Sequence, residues 1–392
     1  MPEDANYYVA TDGDDSNSGT ETNPLRTIQE AVDRVSAGDL VYVRGGTYEQ
    51  TNGNPISIDE VAGTESEPIR LEGYPGERPR LQWEGGSVSG WDKDGGFHIQ
   101  RNSPYWEFRN LEVTESPFCG FWVDRDDGSH SIVFEDLNLH HNGNSGIQVS
   151  VGNCTFRNVI SHNNHDPAND GENADGLVIA FSDGGLIENC VVHTNSDDGI
   201  DLWRSSNITI RNTISHSNGY DDAGDGNGFK LGGTESSGNQ RIERCVAYNN
   251  ANHNFRCYNP DPTQLLNCTS FNAGSHGFAA IHGGEHEIAN CIEYQSSSDT
   301  SFHSGINDHD NSWNLDISDP GFASTDESSD THLRLAESSA AIDAGIDVGL
   351  DFTGDAPDLG AYEYTTGSSE WGPATIYYHT GDGFVEVSIR SQ

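Results

Sequence analysis

Between Phe108 and Ser296 one short pattern of apolar and polar positions returns eight times: FRNLEVTES, FEDLNLHHN, FRNVISHNN, IENCVVHTN, IRNTISHSN, IERCVAYNN, LLNCTSFNA and IANCIEYQS. Its third residues are Asn110, Asp136, Asn158, Asn189, Asn212, Arg244, Asn267 and Asn290, at steps of 26, 22, 31, 23, 32, 23 and 23 residues. A second phrase follows the first seven of these, usually a glycine and then an apolar-outward-apolar triplet: CGFWV, SGIQV, DGLVI, DGIDL, NGFKL, HNFRC and HGFAA. Both phrases are too short and too β-rich for helical hairpins. About three short strands in a unit of about 23 residues is the repeat of a right-handed parallel β-helix, whose coils stack about 4.8 Å apart. The fold class predicted is all-β, a solenoid of this kind.

Alternation within the second phrase assigns its faces. Phe121, Ile147, Leu177, Ile200, Phe229, Phe255 and Phe278 are expected to stack inward as one column, and Val123, Val149, Ile179, Leu202, Leu231, Cys257 and Ala280 as another. Trp122, Gln148, Val178, Asp201, Lys230, Arg256 and Ala279 then point outward. The third-position asparagines are expected to form a turn ladder running from coil to coil. Cys190, Cys245, Cys268 and Cys291 share one repeat position, which suits small buried groups better than disulfides or a zinc site.

The ends differ from the middle. LRTIQEAVDRVSAGD, residues 25–39, places Ile28, Ala31, Val32 and Val35 on one face, with a capping box at Thr27 and Glu30 and a stop at Gly38. A short N-terminal capping helix is predicted there, closing the end of the solenoid. Residues 1–365 are taken as one β-helix domain, with a loop-rich C-terminal segment over about 305–365 packed on the last coils. Residues 366–392 suit either a strand pair or a tail.

Composition narrows the function. The chain has 63 acidic and 19 basic residues, a formal charge of −44, and lysine only at Lys93 and Lys230. That is the pattern of a halophilic protein, kept soluble at high salt. No basic stripe exists to neutralise phosphates, so double-stranded nucleic acid is excluded as a ligand. No apolar stretch is long enough for a transmembrane helix, and no membrane partner is expected. Met1-Pro2-Glu3 opens directly into polar sequence, with no signal peptide visible in this chain.

Four carboxylates converge once the chain is wound this way. Asp175 and Asp198 each precede a repeat glycine on adjacent coils, Asp197 neighbours Asp198, and Asp201 projects outward three residues later. Such a cluster repels itself unless a cation sits within it, and Ca²⁺, with six to eight hard oxygen ligands in flexible geometry, is the natural occupant. SDDG is not diagnostic alone, since Asp14-Asp15, Asp126-Asp127 and Asp221-Asp222 also occur. Its register with Asp175 and Lys230 is the discriminating feature. The two long repeat steps carry the insertions HDPANDGE and YDDAGD, residues 165–172 and 220–225, both just before the candidate site. Solenoid insertions emerge as loops that wall binding clefts.

ENADGLVIA, ENCVVHTNSDDGIDLW and GDGNGFKLGG, with the N-terminal stretch from Tyr7 to Tyr48, resemble the pectate lyases of polysaccharide lyase family nine over roughly residues 6–300. The resemblance implies Ca²⁺ held by Asp175, Asp197, Asp198 and Asp201, Lys230 as catalytic base, and secretion to act on an anionic polysaccharide. The chain departs from the family at ANHNFRCYN, where a glycine-containing phrase is usual, so Asn254 and Arg256 bear on the sugar subsite. Arg256 either binds a substrate carboxylate or neutralises the acidic face. Trp122 and Trp203 either stack on sugars or pack against loops. The expected activity is β-elimination on a polygalacturonate-type polymer, by a monomer with an alkaline optimum. Two readings compete: an inverting polygalacturonase-like hydrolase using Asp197 and Asp198, and a β-helix that binds polysaccharide without catalysis.

Overall fold

The computed structural model describes residues 3–86, 93–125, 131–221, 223–233, 237–258, 261–365, 372–380 and 383–391; Asp126, Asp127, Asp222 and residues 366–371 lie outside them. Three parallel sheets run the length of the solenoid. The first has 12 strands, from Tyr7–Val9 to Asn307–His309, and the second and third have 10 each, one strand per coil. The second sheet carries the predicted triplets in the predicted register: Phe121 pairs with Ile147, Ile147 with Leu177, Leu177 with Ile200, Ile200 with Phe229, Phe229 with Phe255 and Phe255 with Phe278. All seven of these residues are fully buried. Phe229, Phe255 and Phe278 stack nearly parallel, with ring centroids 4.9 Å apart at each step, because strands one coil apart place identical side chains at the strand spacing.

Two polar columns of this solenoid complement themselves. At the second position of the first phrase, Arg109, Glu135, Arg157, Glu188 and Arg211 alternate in sign along the outside of the first sheet, with ion pairs of 3.2, 3.4, 3.2 and 2.6 Å between successive coils. At the ninth position a buried asparagine ladder runs through Asn142, Asn164, Asn195, Asn218 and Asn250. Each amide Nδ2 donates to the Oδ1 of the next at 2.9 to 3.0 Å, and the same Oδ1 also accepts from the previous backbone N–H. The continuous ladder therefore sits at the ninth position and not at the expected third. The third-position residues serve the turn differently: all eight have φ between 50 and 56°, the left-handed region that asparagine tolerates best among residues with a Cβ.

The N-terminal helix is shorter than predicted, spanning only Ile28–Val32. Thr27 Oγ1 accepts from the Glu30 N–H at 3.2 Å, but the Glu30 carboxylate turns to Arg34 at 2.6 Å and does not return to the cap. Arg34 also donates to the carbonyls of Asn17 and Asp15. Ile28, Ala31 and Val32 nonetheless close the core beside Val9, Val41 and Ile56. All seven cysteines are free and buried.

At the other end, Phe322 bridges to Leu335, and Leu333 and Ala361 pack on Val246, Tyr248 and Phe271 of the third sheet. Asn267 Nδ2 donates to the Asp358 carbonyl at 2.9 Å and Asn290 Nδ2 to that of Ile346 at 2.8 Å, which ties this segment to the coils. Gly372–Thr380 and Gly383–Ser391 form an antiparallel strand pair. No helix among the described residues is long and apolar enough to cross a membrane.

Candidate active site

The outward column of the second sheet holds the site. Val178 pairs with Asp201, Asp201 with Lys230, and Lys230 with Arg256, so one acidic and one basic neighbour flank the lysine at the strand spacing. Beside this column runs the residue that precedes each repeat glycine: Ser145, Asp175, Asp198 and Asn227. The backbone N–H of Asp198 donates to Asp175 Oδ1 at 3.0 Å, and that of Asn227 to Asp198 Oδ1 at 2.7 Å, with the Asn227 amide adding 2.8 Å. Regular coil stacking thus fixes both carboxylates.

Asp175, Asp197 and Asp198 each bring a carboxylate oxygen within 4.8 Å of the others, and all three are buried. Burial pushes the Asp175 carboxyl well above the ordinary range, and the charges of Asp201 and Asp198 push it further. Asp197 rises for the same reasons, burial first, then Asp198 and Asp175. Asp201 stands one step to the side, on the lysine: its Oδ2 lies 3.1 Å from Lys230 Nζ, and its buried Oδ1 has no hydrogen-bond partner among the described residues. Three mutually repelling buried carboxylates beside a fourth with an unpartnered oxygen are a donor set suited to a hard divalent cation, and Ca²⁺ fits it.

Lys230 points outward but is not on an open surface; its side chain is 11% exposed. Nζ lies 3.0 Å from Asp198 Oδ2, 3.1 Å from Asp201 Oδ2 and 3.0 Å from Asp225 Oδ2, and 5.7 Å from the centre of the Trp203 ring. Burial alone would lower its pKa, but Asp198, Asp201, Asp175 and Asp225 together reverse this and hold the ammonium well above its usual value. Arg256 lies beside it, with its guanidinium 4.5 Å over Tyr258 and its Nη1 3.7 Å from Asp225 Oδ2.

Asp225 is absent from the candidates drawn from the repeat because it ends an insertion and so has no repeat register. The only signal for it is its place in GDGNGFKLGG, five residues before the lysine. The two insertions meet each other. His165 Nε2 and Asp221 Oδ2 are 2.6 Å apart, and Gly171, at φ +88°, lies so close that a Cβ there would stand 2.5 Å from that of Asp221. Gly224 abuts the carboxylate turn, where a Cβ would meet the Ser196 carbonyl oxygen at 2.4 Å. Between the insertions opens a cleft of about 660 Å³ lined by His165, Asp170, Tyr220 and Asp221.

The other sequence candidates divide. Asn254 takes the place of the repeat glycine but faces inward, fully buried. Its Oδ1 accepts from Asn250 at the end of the asparagine ladder at 2.8 Å, and its amide donates to Ser270 Oγ at 2.8 Å. It terminates the ladder and is no sugar contact. Trp122 lies four coils from Lys230, donating to Asp124 Oδ1 at 2.7 Å with Lys93 over its ring at 5.2 Å.

Comparison with known proteins places this geometry among relatives. Residues 7–300 match the family model described as "Pel9A-like, right handed beta helix region". The chain is 32% identical to pectate lyase L of Dickeya dadantii (strain 3937), over 91% of this chain and 90% of that protein. It is 32% identical to pectate lyase PEL9 of Emericella nidulans, over 64% of this chain and 69% of that protein. The crystal structure of pectate lyase Pel9A superposes with a TM-score of 0.79 at 28% identity, covering 92% of this chain and 96% of that one. A rhamnogalacturonan lyase at 22% identity and TM-score 0.63 shares the fold.

Proposed function

Since the chain belongs to the Pel9A-like right-handed β-helix family, we propose that it is a calcium-dependent lyase acting on polygalacturonate-type polymers, with Lys230 as the base. It is a polysaccharide lyase of the pectate lyase type. The observation that carries the finer reading is a lysine with only 11% of its side chain exposed, set against a cluster of buried carboxylates at the outer face of one sheet.

Asp175, Asp197, Asp198 and Asp201 would hold the Ca²⁺. When bound, the ion draws charge from the uronate carboxylate and so acidifies the C5 proton. Lys230 removes that proton; the electron pair left on C5 forms the C4–C5 double bond, and the C4–O4 glycosidic bond breaks with its electrons passing to O4. Lysine serves this step only as the neutral amine, and its compact ammonium deprotonates far more readily than a guanidinium, so arginine is no substitute. Asp198 and Asp201, both paired to Lys230, hold its proton less tightly once their charge is engaged elsewhere. Arg256, one coil on, binds a substrate carboxylate through its planar donor fork. The Trp203 ring lies beside the lysine, its centre 5.7 Å from Nζ. The substrate is a polymer too large to enter a cell, so the enzyme works outside it.

The test is incubation with a panel of uronate polymers, with and without chelator, following absorbance of the unsaturated product. The reading predicts product from polygalacturonate that chelator abolishes and Ca²⁺ restores. New reducing ends without unsaturation would mean hydrolysis and defeat it.

A further inference from the structure

Asp225 stands apart from the other two carboxylates on Lys230. Asp198 and Asp201 are held by the coils, and their side chains are 0% and 10% exposed; Asp225 belongs to an insertion, and its side chain is 49% exposed. Its Oδ2 lies 3.0 Å from Lys230 Nζ and 3.7 Å from Arg256 Nη1, while the side chains of those two residues are only 11% and 15% exposed. One half-exposed carboxylate thus lies against the lysine and the arginine together. It has the charge, planarity and acceptor geometry of a uronate carboxylate.

The backbone beneath it is fixed. The Asp225 N–H donates to Asp197 Oδ1 at 2.5 Å, Asn252 Nδ2 donates to the Asp225 carbonyl at 3.1 Å, and Gly224 is pressed against Ser196. The contacts that hold the backbone do not involve the side-chain carboxylate, whose ion pairs are with Lys230 and Arg256. Of the three carboxylates on Lys230 it is the most exposed, so it is the one whose contact exchanges most readily for another carboxylate arriving from solvent.

We propose that Asp225 is a gating carboxylate: in the resting enzyme it occupies the place over Lys230 and Arg256 that a carboxylate of the substrate takes when the polymer binds. The inference rests on the assignment of Lys230 and Arg256 to substrate. It makes Asp225 a specificity-determining residue, because entry exchanges one carboxylate for another and a group without that charge gains no replacement contact to Arg256.

The experiment is Asp225→Ala, with Asp225→Asn as the near-isosteric companion, read in two ways. Steady-state kinetics on polygalacturonate should show KM falling roughly fivefold, so that kcat/KM rises through KM, the signature of a competing contact removed from free enzyme. Calorimetric titration with galacturonate, which needs no turnover, should show binding tightened by a similar factor of roughly five, and Arg256→Ala in the same background should erase the gain. An unchanged or raised KM with unaltered galacturonate binding overturns the proposal. So does a fall in kcat at constant KM, which would put Asp225 in the chemical step. Absence of unsaturated product from the unaltered enzyme would defeat the lyase reading instead, while the galacturonate titration still decides on Asp225.

Discussion

Two polar stacks inside one solenoid behave in opposite ways. In the asparagine ladder each amide donates to the next coil and accepts from the previous one, so repetition satisfies every member. The aspartates at the head of the second sheet stack on two successive coils, Asp175 and Asp198, with Asp197 beside them, and stacking harms them: an ionised carboxylate only accepts, and burial together with the neighbouring carboxylates raises the pKa of Asp175 and of Asp197. The Arg109 to Arg211 column shows a third solution, alternation of sign. The comparison separates architecture from chemistry. Where a β-helix stacks residues that complement themselves, the stack holds the fold; where it stacks residues that do not, a cation beside them lowers the repulsion, as Lys230 does for Asp198 and Asp201.

Lys230 is the sharpest break in that comparison, since it enters the acidic stack as an internal cation without joining any ladder. Lys230→Ala is expected to lower kcat by about three orders of magnitude with circular dichroism unchanged, within the range for loss of a positioned base. Substantial retained turnover with calcium still bound would remove it from the chemistry.

Next comes the architectural stack. Asn195→Ala takes away the side-chain donor to Asn218, removes one of the two acceptors of the Asn164 amide, and leaves the buried Asn164 backbone N–H without its acceptor. Stability is expected to drop by about 2–4 kcal/mol in a urea titration, from groups left buried and unpaired. Calcium affinity should stay the same, because the ladder has no cation to hold.

A smaller effect tests a stack of neutral rings. His162, His193 and His216 lie with centroids 4.8 to 4.9 Å apart on the third sheet. Burial first, then neighbouring histidines, holds His162 down at about 4 and His216 at about 3, against the ordinary 6.5. Above pH 6.5 these rings are neutral in both states and pH changes nothing through them. Below it the unfolded chain takes up protons that the folded one refuses, so stability falls as pH drops from 6.5 towards 4. His216→Phe should lessen the loss between pH 6.5 and 4.5 by about 2 kcal/mol, measured by urea midpoints at each pH.

Legibility in the sequence follows the same division. The inward and outward columns are legible because alternation has only two answers, and the outward answer puts Asp201, Lys230 and Arg256 in one line. The aspartate cluster is legible because Asp175 and Asp198 hold the same repeat position. Asp225 is not, since an insertion has no register and its approach to Lys230 depends on the packing of Gly224 against Ser196. Nor is the burial of Lys230, because the repeat pattern gives only its outward direction, while Asp225 of the insertion approaches it to 3.0 Å. The asparagine ladder is in the pattern, but position alone does not tell a turn asparagine such as Asn189 from an interior one such as Asn195.

The central claim is that the aspartate stack is completed by a divalent cation as the asparagine stack completes itself. The direct measurement is calorimetric titration of calcium into chelator-stripped protein, wild type against Asp198→Asn, which substitutes an amide capable of donating to its neighbours. The account predicts one calcium bound by the wild type, an affinity at least about 100-fold weaker in Asp198→Asn, and a higher melting temperature for the ion-free variant than for the ion-free wild type. Equal calcium affinity in the two proteins, or none in either, would contradict it.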